Sequence, residues 1–178
     1  MSQAFDPEWS RVIDVRHLPA GPIDIVASPD ECRRLAARFE IAAIDRLVAH
    51  IAFAPDGGRI GVTGRIVAAI VQTCAISGED FPVAIDEPVD LRFVPLRDLP
   101  PPDEEVELSA EACDEIEYDG LTFDLGEALA QTLALAIDPF AEGPDADRAR
   151  KEHGLAGDGA SGAFAALAAL RTRDENHD

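Results

Sequence analysis

The chain has 178 residues, of which 47% are hydrophobic and 28% charged, and its formal net charge is −20. This length and composition predict one folded domain, and no apolar run reaches the roughly 18–20 residues that a membrane-spanning helix needs. The acidic half of the chain disfavours direct binding of a nucleic-acid backbone through that half, because such affinity comes from Lys and Arg side chains that displace counterions.

The first residues and the cysteines indicate a cytoplasmic protein. The N-terminal segment MSQAFDPEWSR has neither the basic start nor the apolar block of a secretory signal. Cys32, Cys74 and Cys113 are odd in number and widely spaced, so they do not make a disulfide framework. We therefore expect reduced thiols and a cytoplasmic location.

Alternation of apolar and polar residues predicts six strands, some of them long. They are Arg11–Leu18, Ile23–Val26, Ile44–Ala54, Arg59–Thr73, Phe81–Pro95 and Ala112–Asp119. The turns at residues 55–58 and 77–80 are short, which predicts an antiparallel meander. Gly61 and Gly64 predict bends or bulges, and Pro88 predicts an interruption of its strand.

A helix from Pro29 to Phe39 is predicted behind the N-cap residue Ser28. Proline stands at the first helical position, and Glu31 lies three residues after the cap, as in a capping box. The inner face of this helix is expected to carry Cys32, Leu35, Ala36 and Phe39.

The clearest helix in the sequence is predicted to begin at Leu125, after the N-cap residue Asp124, and to end near Ile137. Glu127 is expected to complete a capping box, and Pro139 disfavours the helical conformation at the residue before it. The predicted apolar ridge consists of Leu121, Leu125, Leu129, Leu133 and Ile137. The opposite side of the helix is predicted to carry Glu127, Ala130, Gln131 and Ala134.

These elements predict an α+β fold: a curved antiparallel β-sheet, as a meander or a partial barrel, packed by two main helices. We expect residues 1–140 to form this domain and residues 141–178 to form a flexible acidic and Ala/Gly-rich tail. The tail contains a short candidate helix, Ala163–Leu170, that displays Phe164, Leu167 and Leu170. Because this helix is too short to be stable alone, it packs on its own domain, binds a partner or frays.

Acidic residues dominate the second half of the chain. From Asp98 to Asp147 there is no Lys, Arg or His, and there are sixteen Asp and Glu. This stretch is either a solvated surface or a docking face for a basic partner. Four candidate partner-binding residues lie in a proline-rich loop: Asp103, Glu104, Glu105 and Glu107. Three further candidates, Phe164, Leu167 and Leu170, lie near the C-terminus.

Catalytic and metal-binding motifs are not found. The chain has no Gly-x-Ser-x-Gly elbow, Walker loop or His-Glu-x-x-His, and Cys74 has Ser77 where a Cys-x-x-Cys pair would have its second thiol. We therefore expect no catalytic residue, metal or cofactor, and we consider an enzyme with dispersed carboxylates the least favoured class.

A second hypothesis is an RNA-contacting module that uses arginines of the sheet. The candidates are Arg59, Arg65, Arg92 and Arg97. Arg59 and Arg65 share strand parity, whereas Arg92 and Arg97 do not, so the sequence alone does not establish a single patch.

Several short motifs resemble the bacterial YceD family (DUF177). They are Val71-Gln72-Thr73-Cys74, Asp86-Glu87-Pro88-Val89, Asp119-Gly120, Leu125-Gly126-Glu127, Ile137-Asp138-Pro139 and Phe164–Arg171. The resemblance implies a role in accumulation of large-subunit (23S) ribosomal RNA, through its synthesis, processing or stability, and it implies no catalytic residues. Many members have two cysteines where this chain has Cys74 and Ser77, and basic residues where it has Phe140-Ala141-Glu142.

Overall fold

The computed structural model of the chain describes residues 7–96 and 115–154. In chain order, the elements are β1 (Val12–Asp14), β2 (Ile23–Val26), α1 (Pro29–Arg38), β3 (Ala43–Asp56), β4 (Arg59–Thr73), β5 (Asp80–Pro95), β6 (Glu115–Tyr118), β7 (Thr122–Asp124), α2 (Leu125–Ala136) and α3 (Ala146–Glu152).

An open five-stranded sheet, in the order β2-β3-β4-β5-β6, forms the centre of the fold. Strands β2 to β5 pair antiparallel, as predicted, and the α+β class with a curved, mostly antiparallel sheet is confirmed. The inner face of this sheet, α1 and α2 enclose the hydrophobic core. The largest fully buried side chains are Trp9, Leu35, Leu47, Ile51, Val62, Ile66, Ile70, Phe93, Leu125, Leu129 and Leu133.

The first strand and the last two strands differ from the prediction. β1 is only three residues long, and it pairs with β7, which was not predicted, in a separate two-stranded sheet. β6 lies parallel to β5, with Arg92 opposite Glu115. Parallel neighbours need a long crossover, and residues 97–114 provide one between these two strands. The predicted meander therefore ends at β5.

Pro88 does not interrupt β5, contrary to the prediction. It lies within the strand, opposite Arg65 of β4. Among the described residues, β5 pairs with β6 only from Arg92 to Pro95, so Pro88 has β4 as its one neighbouring strand. An edge position tolerates proline because the missing N–H can face away from the ladder.

Gly61 and Gly64 were expected to be bend or bulge points, and neither of them is a bulge between β3 and β4. The register shift between β3 and β4 lies at Ile44 and Arg46 instead. Gly64 has another role: its φ is +156°, and a Cβ at this position would lie 1.9 Å from the carbonyl oxygen of His50. Glycine is required there because the two backbones approach closely.

Helix α1 begins as predicted and ends one residue early, at Arg38. The backbone N–H of Glu31 donates to Ser28 Oγ at 3.3 Å, and the N–H of Ser28 donates to the Glu31 carboxylate at 2.7 Å, which completes the capping box. Cys32, Leu35 and Ala36 are buried on the inner face.

Helix α2 begins at Leu125, as predicted, but its buried surface is wider and shorter than the predicted ridge. Leu125, Leu129 and Leu133 are fully buried, whereas Leu121 is 48% exposed. Ala130, expected on the outer side, is also fully buried. The reason is that α2 contacts both β5 and β1, so it is covered on more than the single side that a ridge describes.

The carboxylate of Asp124 joins the N-terminal segment to the start of α2. It accepts hydrogen bonds from the N–H groups of Gly126 and Glu127, at 3.0 and 3.3 Å, which confirms it as the N-cap. It also accepts from the N–H of Arg11 at 2.7 Å and from the Ser10 hydroxyl at 2.6 Å. Glu127, expected to complete a capping box, instead accepts from the Arg38 guanidinium at 2.7 and 2.8 Å.

Helix α3 was not predicted, since it lies in the segment expected to be a flexible tail. Ala146 and Ala149 are buried, so residues 146–152 are helical and in contact with the domain. Two hydrogen bonds hold the chain that leads to α3: Gln72 Nε2 donates to the Asp138 carbonyl at 2.8 Å, and the Ala75 N–H donates to the Ala141 carbonyl at 3.0 Å. The domain boundary at residue 140 stays a prediction.

We predict that Gly126→Ala strongly destabilises the protein. A Cβ at this position would lie 2.0 Å from the carbonyl oxygen of Trp9, so either the N-terminal segment or α2 must move. We expect a loss of at least about 2 kcal/mol in the free energy of unfolding, measured by urea titration followed through Trp9 fluorescence.

Gly21→Ala is the matched control for this substitution. A Cβ on Gly21 meets nothing within 4 Å, and its backbone is in an ordinary region, so this variant should match the wild type. Equal midpoints for the two variants would contradict the contact between Trp9 and α2.

Candidate functional site

The four acidic candidates Asp103, Glu104, Glu105 and Glu107 lie outside the described residues, but both ends of their loop are defined. The N–H of Leu96, after β5, donates to the carbonyl of Tyr118 in β6 at 2.8 Å. Because β6 runs parallel to β5, residue 96 lies beside the end of β6 at Tyr118, and the chain is next described at the start of β6, at Glu115 opposite Arg92. The acidic loop is therefore attached to the sheet at two neighbouring points.

The acidic character continues from this loop into β6 and beyond. Glu115 lies opposite Arg92, and Glu117 is exposed and lies opposite Val94. Asp119 is exposed in the turn that follows the strand. The β6 edge of the sheet therefore carries carboxylates on ordered backbone, next to the loop that contains all four acidic candidates.

Three of the four candidate arginines share one face of the sheet. In the β4–β5 register, Arg65 lies opposite Pro88, and Arg92 lies opposite Gly61. Arg59 and Arg65 have the strand parity of Gly61, so Arg59, Arg65 and Arg92 all point to the exposed outer face. Arg97 lies outside the described residues. Strand parity alone could not place these arginines on one face, because the register between β4 and β5 cannot be read from the sequence.

Carboxylates accompany the basic side chains on the outer face. Arg65 Nε donates to Asp86 Oδ1 at 2.6 Å, and Arg59 Nη2 lies 3.8 Å from Glu115 Oε1. His50 Nδ1 lies 2.6 Å from Asp24 Oδ1 on the neighbouring strands. This face therefore has mixed charge rather than a basic patch, which disfavours strong attraction of phosphates.

Cys74 lies at the end of β4, where the chain turns toward β5. Its side chain is buried, and its Sγ accepts hydrogen bonds from the N–H groups of Ile76 and Ser77, at 3.4 and 3.3 Å. The pKa of the thiol falls from 9.0 to about 7, chiefly because the Ser77 side chain and N–H and the Gly143 N–H stabilise the thiolate, while burial acts in the opposite direction. The interactions of Cys74 explain it as a structural residue of this turn.

The comparison with protein families identifies one family. The model of the large ribosomal RNA subunit accumulation protein YceD matches residues 62–171, which is more than half of the chain. The chain belongs to the YceD family. The comparisons with curated proteins and with solved structures found no match.

Membership in the YceD family implies involvement in accumulation of the large ribosomal RNA subunit. The matched range begins within β4 and includes the acidic loop, α2, α3 and the candidate C-terminal residues Phe164, Leu167 and Leu170. Those three residues lie outside the part of the chain that the structure describes. Arg59 is the one candidate residue before the matched range.

The described part of this YceD chain contains neither a metal-binding cluster nor a membrane-spanning helix. Among residues 7–96 and 115–154, no group of three or more His, Cys, Asp and Glu side chains could hold a metal ion. No helix in the same two ranges is long and apolar enough to cross a membrane.

A groove that the sequence analysis did not predict lies between the ends of α1, β4 and α2. It has a volume of about 630 Å³, and we call it the α1–α2 groove. It is lined by Arg38, Phe39, Glu40, Ile41, Gln72, Thr73, Ala134, Leu135, Ile137 and Pro139. Leu135 is 89% exposed, and its place outside the predicted ridge of α2 was the one available signal.

We predict that the contribution of Cys74 to stability depends on pH. Since its pKa is about 7 in the folded protein and near 9.0 otherwise, the folded state favours the thiolate. The difference in unfolding free energy between wild type and Cys74→Ala should be constant below pH 7, grow as the pH rises toward 9, and be constant above it.

Urea unfolding at a series of pH values measures this difference. Ser77→Ala is the informative companion variant, because it removes the hydroxyl that lowers the pKa most and should reduce the pH dependence. A difference between wild type and Cys74→Ala that does not change with pH would contradict thiolate stabilisation by the turn.

Proposed function

We propose that this YceD-family protein is a non-enzymatic, cytoplasmic ribosome biogenesis factor that supports synthesis, processing or stability of 23S ribosomal RNA. In this proposal, its acidic loop and the adjoining β6 edge dock a basic partner, such as a ribosomal protein. Contact with the RNA is then indirect. The family match supports the role in ribosome biogenesis. The absence of Lys, Arg and His from residues 98–147 is the observation that carries the docking mechanism.

The position of the acidic loop favours this mechanism over a dispersed acidic surface. Its two ends are held at one edge of the sheet by the pairing of β5 with β6. Each of Asp103, Glu104, Glu105 and Glu107 is at most nine residues from Leu96 or Glu115, so even a fully extended chain keeps these carboxylates within about 30 Å of the sheet edge. Carboxylates that are concentrated in one region produce a stronger local potential than the same number spread over the surface.

A basic assembly protein is the partner that this chemistry fits. Complementary potentials raise the association rate of oppositely charged proteins, and the effect decreases as salt increases. Ribosomal proteins that bind RNA must expose Lys and Arg side chains, and an acidic surface can hold these side chains until RNA replaces it. Capture of such a partner requires no reaction centre.

We predict that replacing Asp103, Glu104, Glu105 and Glu107 together by Ser weakens capture of the basic partner. Removal of four charges reduces the electrostatic attraction, so recovery in a pull-down from cell extract at low salt should fall several-fold. Wild-type recovery should fall to a similar level at high salt. Quantification of the bound ribosomal proteins measures both effects.

The matched control is the replacement of Asp30, Glu40, Asp45 and Asp90 by Ser. These four acidic residues are exposed on the first ninety residues, and the substitution changes the net charge by the same amount. The control variant should retain the partner. Equal recovery of the wild type and the loop variant would remove the docking proposal, and equal losses in both variants would replace it with a general charge effect.

Direct contact with RNA through the sheet arginines is the second candidate function. The observation that favours it is the shared outer face of Arg59, Arg65 and Arg92. The carboxylates of Asp86 and Glu115 next to two of these arginines oppose it. We therefore keep it as the alternative against which the leading proposal is tested.

The leading proposal predicts that the isolated protein binds large-subunit RNA fragments weakly, with little dependence of the affinity on salt. Filter-binding titrations at several salt concentrations measure this. A module with three phosphate contacts would instead give a slope of log K against log salt of about −2 to −3. A slope of that size that decreases when Arg65 and Arg92 are replaced by Ser would favour the alternative.

A further inference from the structure

The α1–α2 groove is a largely apolar surface whose lining contains two charged residues, Arg38 and Glu40. Phe39, Ile41, Ala134, Leu135 and Ile137 provide its apolar lining, and its volume of about 630 Å³ lies in the range of about 300–1,000 Å³ that is typical of binding clefts. Leu135 is 89% exposed on this surface. Phe39, Ile41 and Ile137 are half-buried against the core, so Leu135 is the large apolar side chain of this lining that a docked segment would cover.

The charges around the groove favour a cationic occupant. The guanidinium of Arg38 is shared between two carboxylates, those of Glu8 and Glu127, and Glu40 adds a further negative charge. Helix α2 has no basic residue in its last turn, so the negative end of its dipole is not neutralised from within the helix. An apolar segment that ends in positive charge would match this surface.

We propose that the occupant of the α1–α2 groove is residues 163–173 of the same chain. This segment, AFAALAALRTR, combines Phe164, Leu167 and Leu170 with Arg171 and Arg173, and it contains no acidic residue in a chain of net charge −20. At helical spacing the three apolar side chains would enter the groove, and the arginines that follow would face the end of α2. The sequence left three alternatives for the C-terminal helix: packing on its own domain, binding a partner, or fraying. The proposed arrangement is the first of these.

The chain that leads to this segment starts close to the groove. Arg148 of α3 lies 3.5 Å from Glu79, and the carbonyl of Glu79 accepts from the N–H of Cys74, which directly follows the groove residues Gln72 and Thr73. From Gly154, the remaining residues before Ala163 can span at most about 30 Å. Helix α3 continues for only about 9 Å beyond Arg148, so the groove is within reach.

Covalent connection favours this occupant over a separate protein. A short flexible linker gives the attached segment an effective concentration in the millimolar range, which a free partner rarely reaches. A second copy of the chain, or a basic partner, would have to displace the attached segment first. This inference is independent of the proposed function, because it concerns the chain alone.

Hydrogen–deuterium exchange of the full-length chain tests the proposal, with mass spectrometry of peptides that cover residues 159–175. We expect the amides of residues 163–170 to exchange at least about tenfold more slowly than an unprotected chain. Leu135→Asp and Leu167→Asp should each abolish this protection, because both place an uncompensated charge in the apolar contact. Arg171→Gln combined with Arg173→Gln should reduce it several-fold.

Leu121→Asp is the matched control, since Leu121 is also exposed but lies in the turn before β7. It should leave the protection of residues 163–170 unchanged. Exchange of α2 and β4 amides at the wild-type rate shows that each variant is folded.

Three outcomes would overturn the proposal. The first is the absence of protection in the wild type, which leaves the groove to another partner. The second is protection that persists in Leu135→Asp, which places the segment elsewhere. The third is protection that increases with protein concentration, which indicates that the groove of a second copy is the acceptor.

Discussion

The carboxylate of Asp124 is the interaction on which the arrangement of this protein depends. It caps α2 and, through the N–H of Arg11 and the hydroxyl of Ser10, it attaches the N-terminal segment that contains Trp9. Trp9 is fully buried, and Gly126 leaves the space in which its backbone meets the helix. One carboxylate therefore joins the N-terminal segment to α2, the two elements that close the core over the inner face of the sheet.

Local signals in the sequence were sufficient for the elements whose structure is determined locally. The capping box of α1, the N-cap of α2 and the alternation of β4 were all predicted correctly, because each depends on neighbouring residues. The parallel pairing of β6 was not predicted, since the choice of a strand partner across residues 97–114 is a tertiary effect. Helix α3 was missed because small side chains, Ala146 and Ala149, supply its buried contacts and give a weak hydrophobic pattern.

The candidate sites show the same division. The concentration of acidic residues is a property of the linear chain, so it could be found without coordinates, and the structure adds that the loop begins and ends at one sheet edge. The α1–α2 groove could not be found in this way. Its lining comes from three segments that are far apart in sequence, Arg38–Ile41, Gln72–Thr73 and Ala134–Pro139. Leu135 alone, outside the ridge of α2, does not identify its neighbours.

The prolines of β5 have a consequence for how the protein behaves at high concentration. Among the described residues, β6 covers only the last part of β5, which leaves the backbone of the earlier part without a second strand. Pro82, Asp86, Pro88 and Asp90 all have the same strand parity in this stretch. The backbone N–H positions of these four residues therefore point to the same side of the strand. An incoming strand from another molecule would meet missing donors and repelling charges there. The early part of β5 can thus remain an unpaired edge of the β4–β5 hairpin without starting intermolecular β-aggregation.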